Sequence, residues 1–206
     1  MNLMDSAIRT GLPTALVVMG VSGCGKSSVA AEAAALLGWA LHEGDAYHST
    51  ESVAKMRTGQ PLTDEDRAGW LDRLARLLAE AGQGGVVLTC SALRRRYRDR
   101  LRAASPGLRF AFLELGYDSA LARVSARPGH FFSPTLVADQ FATLESPRGE
   151  PGVLPLDATR PVHELAAAAA RWMREDAAGA PGHPDPDHDD HAAPATAGPA
   201  SSGDTA

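Results

Sequence analysis

Thr14-Ala15-Leu16-Val17-Val18-Met19, followed at once by Gly20-Val21-Ser22-Gly23-Cys24-Gly25-Lys26-Ser27, is the stretch whose reading decides the fold. The first six residues form an apolar run of strand length, and Gly20 ends it. From Lys26 to Leu37 the chain is rich in alanine and other helix formers, and Gly38 is placed to stop that helix as its C′ residue. Between strand and helix lies the complete Gly-x-x-x-x-Gly-Lys-Ser spacing of a P-loop. Phosphate concentrates negative charge. A Gly-rich turn can wrap it in successive backbone N–H groups, and the following helix presents its positive end to the same anion. Gly20, Ser22, Gly23, Cys24, Gly25, Lys26, Ser27 and Ser28 are therefore expected around the phosphates of a nucleoside triphosphate. Lys26 would reach the β- and γ-phosphates and Ser27 would hold Mg²⁺. Cys24 sits at a variable position of the motif and reads as a tolerated small residue.

Working outward, strand and helix signals alternate. Trp39 to His42 reads as a second strand, and Gly44-Asp45 opens a polar stretch. Thr63-Asp64-Glu65-Asp66 has the form of a capped helix start with acids in its first turn. Trp70, Leu71, Leu74, Leu77 and Leu78 follow at helical spacing up to Gly82. Val86 to Cys90 is a third strand, Ala92 to Ala104 a basic helix, and Arg109 to Leu115 a fourth strand. Helical segments are expected over Asp118–Arg127 and Pro134–Leu144, a fifth strand over Val153–Leu156, and a last helix from Pro161 to about Glu175. This alternation predicts an α/β three-layer sandwich: a five-stranded parallel sheet with helices on both faces. The domain spans 14–175, after a flexible N-terminus (1–13). From Asp176 to Ala206 the composition turns to Ala, Gly, Pro, Asp and His with almost no large apolar residue, which predicts a disordered tail. His183, His188 and His191 lie in that tail, where no fixed geometry for a metal is expected.

Bulk properties narrow the function. The 206 residues carry a formal charge of −5 and no long basic block, which argues against a nucleic-acid partner. No run approaches the roughly 20 apolar residues of a membrane span. The N-terminus lacks the pattern of a signal peptide, and the two cysteines, Cys24 and Cys90, do not make a disulfide framework. A cytoplasmic setting is expected.

A P-loop says nothing about the acceptor of the phosphoryl group. Glu43-Gly44-Asp45 follows the second strand, at the end where ligands of open parallel sheets bind. A carboxylate there can take the proton of an attacking hydroxyl, and a neighbouring one can orient Mg²⁺ through water; Glu-Gly-Asp is also common in plain turns. Beyond the P-loop the chain reads Gly44-Asp45-x-x-His48, then Lys55-Met56-x-x-Gly59-x-Pro61-Leu62-x-Asp64-x-Asp66-Arg67-x-x-Trp70-Leu71. Cys90-Ser91-Ala92-Leu93-Arg94-x-x-Tyr97-Arg98-Asp99-x-Leu101-Arg102, Gly129-His130-Phe131-Phe132 and Gln140-Phe141-x-x-Leu144-Glu145-x-Pro147 follow in order. Together these resemble the gluconokinase family of small P-loop sugar-acid kinases, from about Ala15 to Met173.

The resemblance implies a shikimate-kinase-like fold with a mobile lid and transfer of a phosphoryl group from ATP to the 6-hydroxyl of D-gluconate. It implies Asp45 as the base and contact of that hydroxyl, and Glu43, where the family more often has Asp, as a metal partner through water. It also admits a homodimer. The chain departs from the family at Ser49, where Pro is usual, at Ser52, where Asn is usual, and at Gly69, where Pro is usual. The alternatives are another small-metabolite kinase of this fold, for shikimate or a nucleoside monophosphate, and a non-catalytic nucleotide-binding module.

The gluconate carboxylate calls for a cation with forked geometry. Arg67 is the first candidate, set against a local ion pair with Asp64 or Asp66; His48 and Lys55 are secondary. Of the arginines from Arg94 to Arg102, Arg94 is assigned to the acceptor side and most of the rest to a solvated face. Arg123 and Arg127 share a helix face just before Pro128-Gly129-His130, where related kinases carry lid arginines that cover the transferring phosphate. Arg123 is set with the nucleotide, Arg127 with catalysis and His130 with the acceptor, solvation being the other reading for the two arginines.

Overall fold

The chain is described by a computed structural model that covers residues 13–81, 84–126 and 132–175. Its strands are β1 (Ala15–Met19), β2 (Ala40–Glu43), β3 (Val86–Cys90), β4 (Arg109–Glu114) and β5 (Val153–Asp157). Its helices are α1 (Lys26–Leu37), α2 (Thr50–Arg57), α3 (Asp64–Glu80), α4 (Arg95–Ala104), α5 (Tyr117–Ser125), α6 (Val137–Thr143) and α7 (Val162–Arg174), with 3-10 turns at Gly44–Tyr47 and Pro134–Leu136. The strands form one parallel sheet in the order β2-β3-β1-β4-β5.

The apolar run of β1 is continuous because both faces of this central strand are covered. Leu16 and Val18 pack with Val29, Ala30 and Ala33 of α1 and with Leu165, Ala166 and Ala169 of α7. Ala15, Val17 and Met19 point the other way, into Trp70, Leu71 and Leu74 of α3 and Tyr97 and Leu101 of α4. α1 and α4, which leave the neighbouring strands β1 and β3, thus lie on opposite faces. Adjacent strands whose connections diverge in this way open a crevice beyond their C-terminal ends. The P-loop leaves β1 at that crevice and Ser91 leaves β3 beside it.

The capped start of α3 forms as its residues predict. Thr63 Oγ1 accepts from Asp66 N–H at 3.2 Å and the Asp66 carboxylate accepts from Thr63 N–H at 2.9 Å. The polar stretch after Gly44-Asp45 contains a helix the pattern did not signal, α2. Only Ser52 and Met56 of it are buried, so it shows almost no apolar periodicity, and the Ser49 side chain caps it by accepting from Ser52 N–H at 3.1 Å. Gly69 lies within α3, with only Arg73 near the space a side chain would fill.

The basic helix α4 keeps most of its arginines at the solvated surface, with one exception. Arg96 and Arg100 are exposed and reach Asp64 and Asp72 on α3, but Arg98 is fully buried. Its guanidinium meets Glu150 through Nε (3.0 Å) and Nη2 (2.5 Å), and Nη1 donates to the carbonyls of Ala92 (2.8 Å) and Leu93 (3.2 Å). This pins a turn in which Ala92 adopts a left-handed φ of 45°, a conformation that costs a non-glycine residue of order 1 kcal/mol. Ser91 stands immediately before that turn.

Candidate active site

The P-loop is shaped by backbone. Gly25 serves as the N-cap of α1 with φ 96°, a left-handed conformation that disfavours any other residue there. The first N–H groups of α1 have no partner within the helix and face the mouth of the loop. Lys26 arches back over it, its Nζ donating to the carbonyls of Gly20 (3.2 Å) and Val21 (3.1 Å). Cys24 is buried, and burial raises its thiol pKa against the opposing charge of Lys26, so it is a packing residue and not a thiolate. Arg123 spans from the P-loop to the turn after β5, donating to the carbonyls of Gly23 (3.4 Å) and Ala158 (3.1 Å).

Glu43 and Asp45 arrive from the end of β2. Gly44 between them packs so closely on β3 that a Cβ would stand 2.1 Å from the Thr89 carbonyl oxygen, which explains the glycine of this short motif. Gly44 N–H donates to Thr89 Oγ1 (3.0 Å), and Trp70 Nε1 donates to the Gly44 carbonyl (2.8 Å). Thr89 Oγ1 donates in turn to Glu43 Oε2 (2.7 Å), which also accepts from Ser27 Oγ (3.1 Å). A hydroxyl and a carboxylate held together are a hard oxygen pair. The described residues hold no group of three or more His, Cys, Asp or Glu side chains arranged around a point. This donor set fits Mg²⁺, which binds through one or two protein oxygens and takes the rest of its shell from phosphate and water.

Two cavities meet over Lys26. One is lined by Gly23, Gly25, Ser27, Thr89 and Val124, the other by His48, Met56, Leu62, Arg67, Trp70 and Ser91, and Ser22, Lys26, Asp45 and Phe132 line both. Asp45 is thus at the junction, half-exposed at 50%. His48 stacks on Trp70, with centroids 4.3 Å apart and planes 13° from parallel, and its Nε2 stands 4.0 Å from Asp45. Burial pulls the His48 pKa down to about 4; Asp45 opposes the shift, and Arg67 and Arg73 add to it. The ring is neutral at pH 7. Its Nδ1 is buried without a partner among the described residues. An orphaned acceptor is less costly than an orphaned N–H, which sets the proton on Nε2, the nitrogen facing Asp45.

The expected basic residues separate. Arg67 lines the acceptor cavity. Its Nη1 donates to the Leu62 carbonyl (2.5 Å), and Asp64 and Asp66 are engaged by other groups. Lys55 holds Asp66 (2.7 Å), while Arg96 and Tyr97 hold Asp64, with Arg94 Nη1 3.8 Å from the same carboxylate. Lys55 and Arg94 are therefore engaged at the N-terminus of α3 and are not among the residues that line the cavity. Arg127 and His130 lie outside the described residues. Sequence reasoning passed over Thr89, Ser91, Asp139 and Gln140 as site residues. Gln140 was legible only as part of a motif; Asp139 carried no signal.

Comparison with known proteins agrees with this geometry. Residues 22–146 match the family model for shikimate kinase. The gluconokinase of Gluconobacter oxydans is 47% identical over 145 residues, which cover 69% of this chain and 81% of that protein. The thermoresistant gluconokinase of Escherichia coli is 40% identical over 162 residues, covering 77% of this chain and 93% of that protein. The crystal structure of a gluconokinase from Sinorhizobium meliloti matches with a TM-score of 0.72 at 43% identity, over 79% of this chain and 93% of that one.

Proposed function

This chain belongs to the gluconokinase family of P-loop kinases, and from that premise we propose that it transfers the γ-phosphoryl group of ATP to the 6-hydroxyl of D-gluconate. The observation that supports the reading best is the meeting of the two cavities at Lys26 and Asp45. A triphosphate in the loop and a polyol in the acceptor cavity would bring their reacting ends to that junction, where orientation alone lowers the barrier. Asp45 would accept the proton of the attacking hydroxyl as its oxygen bonds to the γ-phosphorus, and ADP would depart in line. Lys26 would balance the charge spreading over the phosphoryl oxygens. Mg²⁺, held through Ser27 Oγ and through Glu43 by way of water, would neutralise the phosphates when bound. Arg67 would take the gluconate carboxylate, and His48 would offer its Nε2–H to a substrate oxygen beside Asp45. Arg123 would lie along the nucleotide, and the lid arginine Arg127 and His130 would act from the segment between α5 and Phe132. Lys55 and Arg94 would act at one remove, by fixing the start of α3 that carries Arg67.

The test is ADP release measured across gluconate, other aldonates, shikimate and nucleoside monophosphates. Gluconate should give the highest kcat/KM by at least an order of magnitude. Preference for shikimate or a nucleotide would reassign the acceptor, and ATP binding without acceptor-stimulated turnover would remove the enzyme reading altogether.

A further inference from the structure

The acceptor cavity has a wall that the assignments above leave without a role. Asp139 and Gln140 of α6 both line it. Gln140 Oε1 accepts from the backbone N–H of Ser22, in the P-loop, at 2.6 Å. Because a backbone N–H can only donate, the atom facing it must be the amide oxygen, which settles the orientation of the Gln140 amide. The Gln140 amide nitrogen then keeps two N–H donors that make no hydrogen bond among the described residues. Asp139 is half-buried, and its carboxylate has no hydrogen bond or ion pair among the described residues. A part-buried carboxylate beside an amide with spare donors is costly against an apolar ligand and well matched to one rich in hydroxyls.

We propose that Asp139 and Gln140 form the polyol-recognition edge of the acceptor cavity, Asp139 accepting from substrate hydroxyls and the Gln140 amide donating to them. The inference rests on the reading of this cavity as an aldonate site and specifies how the sugar chain is held. Arg67 selects one anionic end. Asp139 repels a second anionic group, so the class recognised is a polyhydroxy monoanion and not a dicarboxylate. Gln140 has a second consequence. Its oxygen is bound to the P-loop and its nitrogen is available to the acceptor, so a single side chain ties the positions of both substrates together.

The experiment is steady-state kinetics of Asp139→Ala, Asp139→Asn and Gln140→Leu on gluconate and on its monodeoxy analogues. The Asp139 variants should raise KM for gluconate about tenfold, with kcat and KM for ATP within about twofold of wild type. For the analogue lacking the hydroxyl that Asp139 holds, wild type and Asp139→Ala should converge. Gln140→Leu should raise KM for both substrates. Failure of wild type to phosphorylate gluconate would sink the functional reading itself. With wild type active, an unchanged KM for gluconate in both Asp139 variants would overturn this proposal. So would an equal penalty across all analogues, because a packing role penalises every substrate alike. A Gln140→Leu effect confined to ATP would remove the amide from the acceptor edge.

Discussion

The two halves of the cleft are made of different material. The phosphate half is mostly backbone, a loop and the first turn of one helix contributed by a single continuous segment, Gly20 to Ser28. The acceptor half is mostly side chain, gathered from the turn after β2, from α2 and α3, from the end of β3 and from α6. A backbone site demands particular residues only where geometry or charge requires them, and it tolerates Cys24 and Val21 as packing. A side-chain site can be retuned one residue at a time without disturbing the fold. The contrast predicts that damage to the phosphate half is general, whereas damage to the acceptor half is selective.

Lys26 and Asp45 line both cavities and so test the division most severely. Lys26→Ala removes the cation that, among the described residues, lines both cavities, and should lower kcat about a thousandfold. Activity near wild type would end the proposed mechanism. Asp45→Asn keeps the shape of the side chain and removes its basicity. It should cost about a hundredfold or more in kcat while the affinity for ATP, measured by calorimetry, stays within about twofold. Equal loss of binding and turnover would mean that the two halves are one unit and that Asp45 supports the loop.

This division of material also governs what the sequence disclosed. The strand, the Gly-Lys-Ser loop and the alternating β/α order were legible because each rests on local rules. The Thr63 to Asp66 cap was legible for the same reason. α2 was not, since an eight-residue helix with two buried side chains has no period to read. Nor was the burial of Arg98: it shares Glu150, across 52 positions of sequence, with Arg102, and what sets it apart is its further bonds to the carbonyls of Ala92 and Leu93 in the turn before α4. Whether Arg67 pairs with Asp64 or Asp66 depends on which of several nearby groups holds those acids, and Lys55, Arg96 and Tyr97 do. Such competition is tertiary by nature.

A smaller effect probes the acceptor half through stability. Folding holds His48 neutral down to about pH 4, whereas in the unfolded chain it protonates below its ordinary value of 6.5. The unfolded state therefore binds more protons in that window. The contribution is complete above pH 6.5 and is lost progressively as the pH falls toward 4, with a slope of at most about 1.4 kcal/mol per pH unit. His48→Phe retains the stack on Trp70 and cannot titrate. Urea unfolding at pH 7, 6 and 5 should show wild type losing stability relative to this variant, and parallel curves would show that His48 titrates normally. The same variant should raise KM for gluconate with little change in KM for ATP, since His48 lines only the acceptor cavity.

The smallest effect concerns the departures from the family at Ser49 and Ser52, which lie in the same half of the cleft. Ser49 caps α2 with φ −70° and ψ 159°, and His48 before it has φ −66° and ψ 149°. Both conformations suit a proline at position 49: the ring fixes φ near −65°, and the preceding residue is already extended. Serine and the usual proline are thus two ways of starting the same helix. One satisfies an N–H of the first turn, and the other reduces the entropy of the unfolded chain. Ser49→Ala has neither device and should cost about 1 kcal/mol in urea unfolding. Ser49→Pro should fall within about 0.5 kcal/mol of wild type, because loss of the cap is offset by the stiffer unfolded chain. KM for gluconate should be unchanged in both, since Ser49 supports α2 without lining the cavity. A rise in KM with Ser49→Pro would mean that serine was selected for the acceptor and not for the cap, and the departure would then bear on which sugar acid is bound.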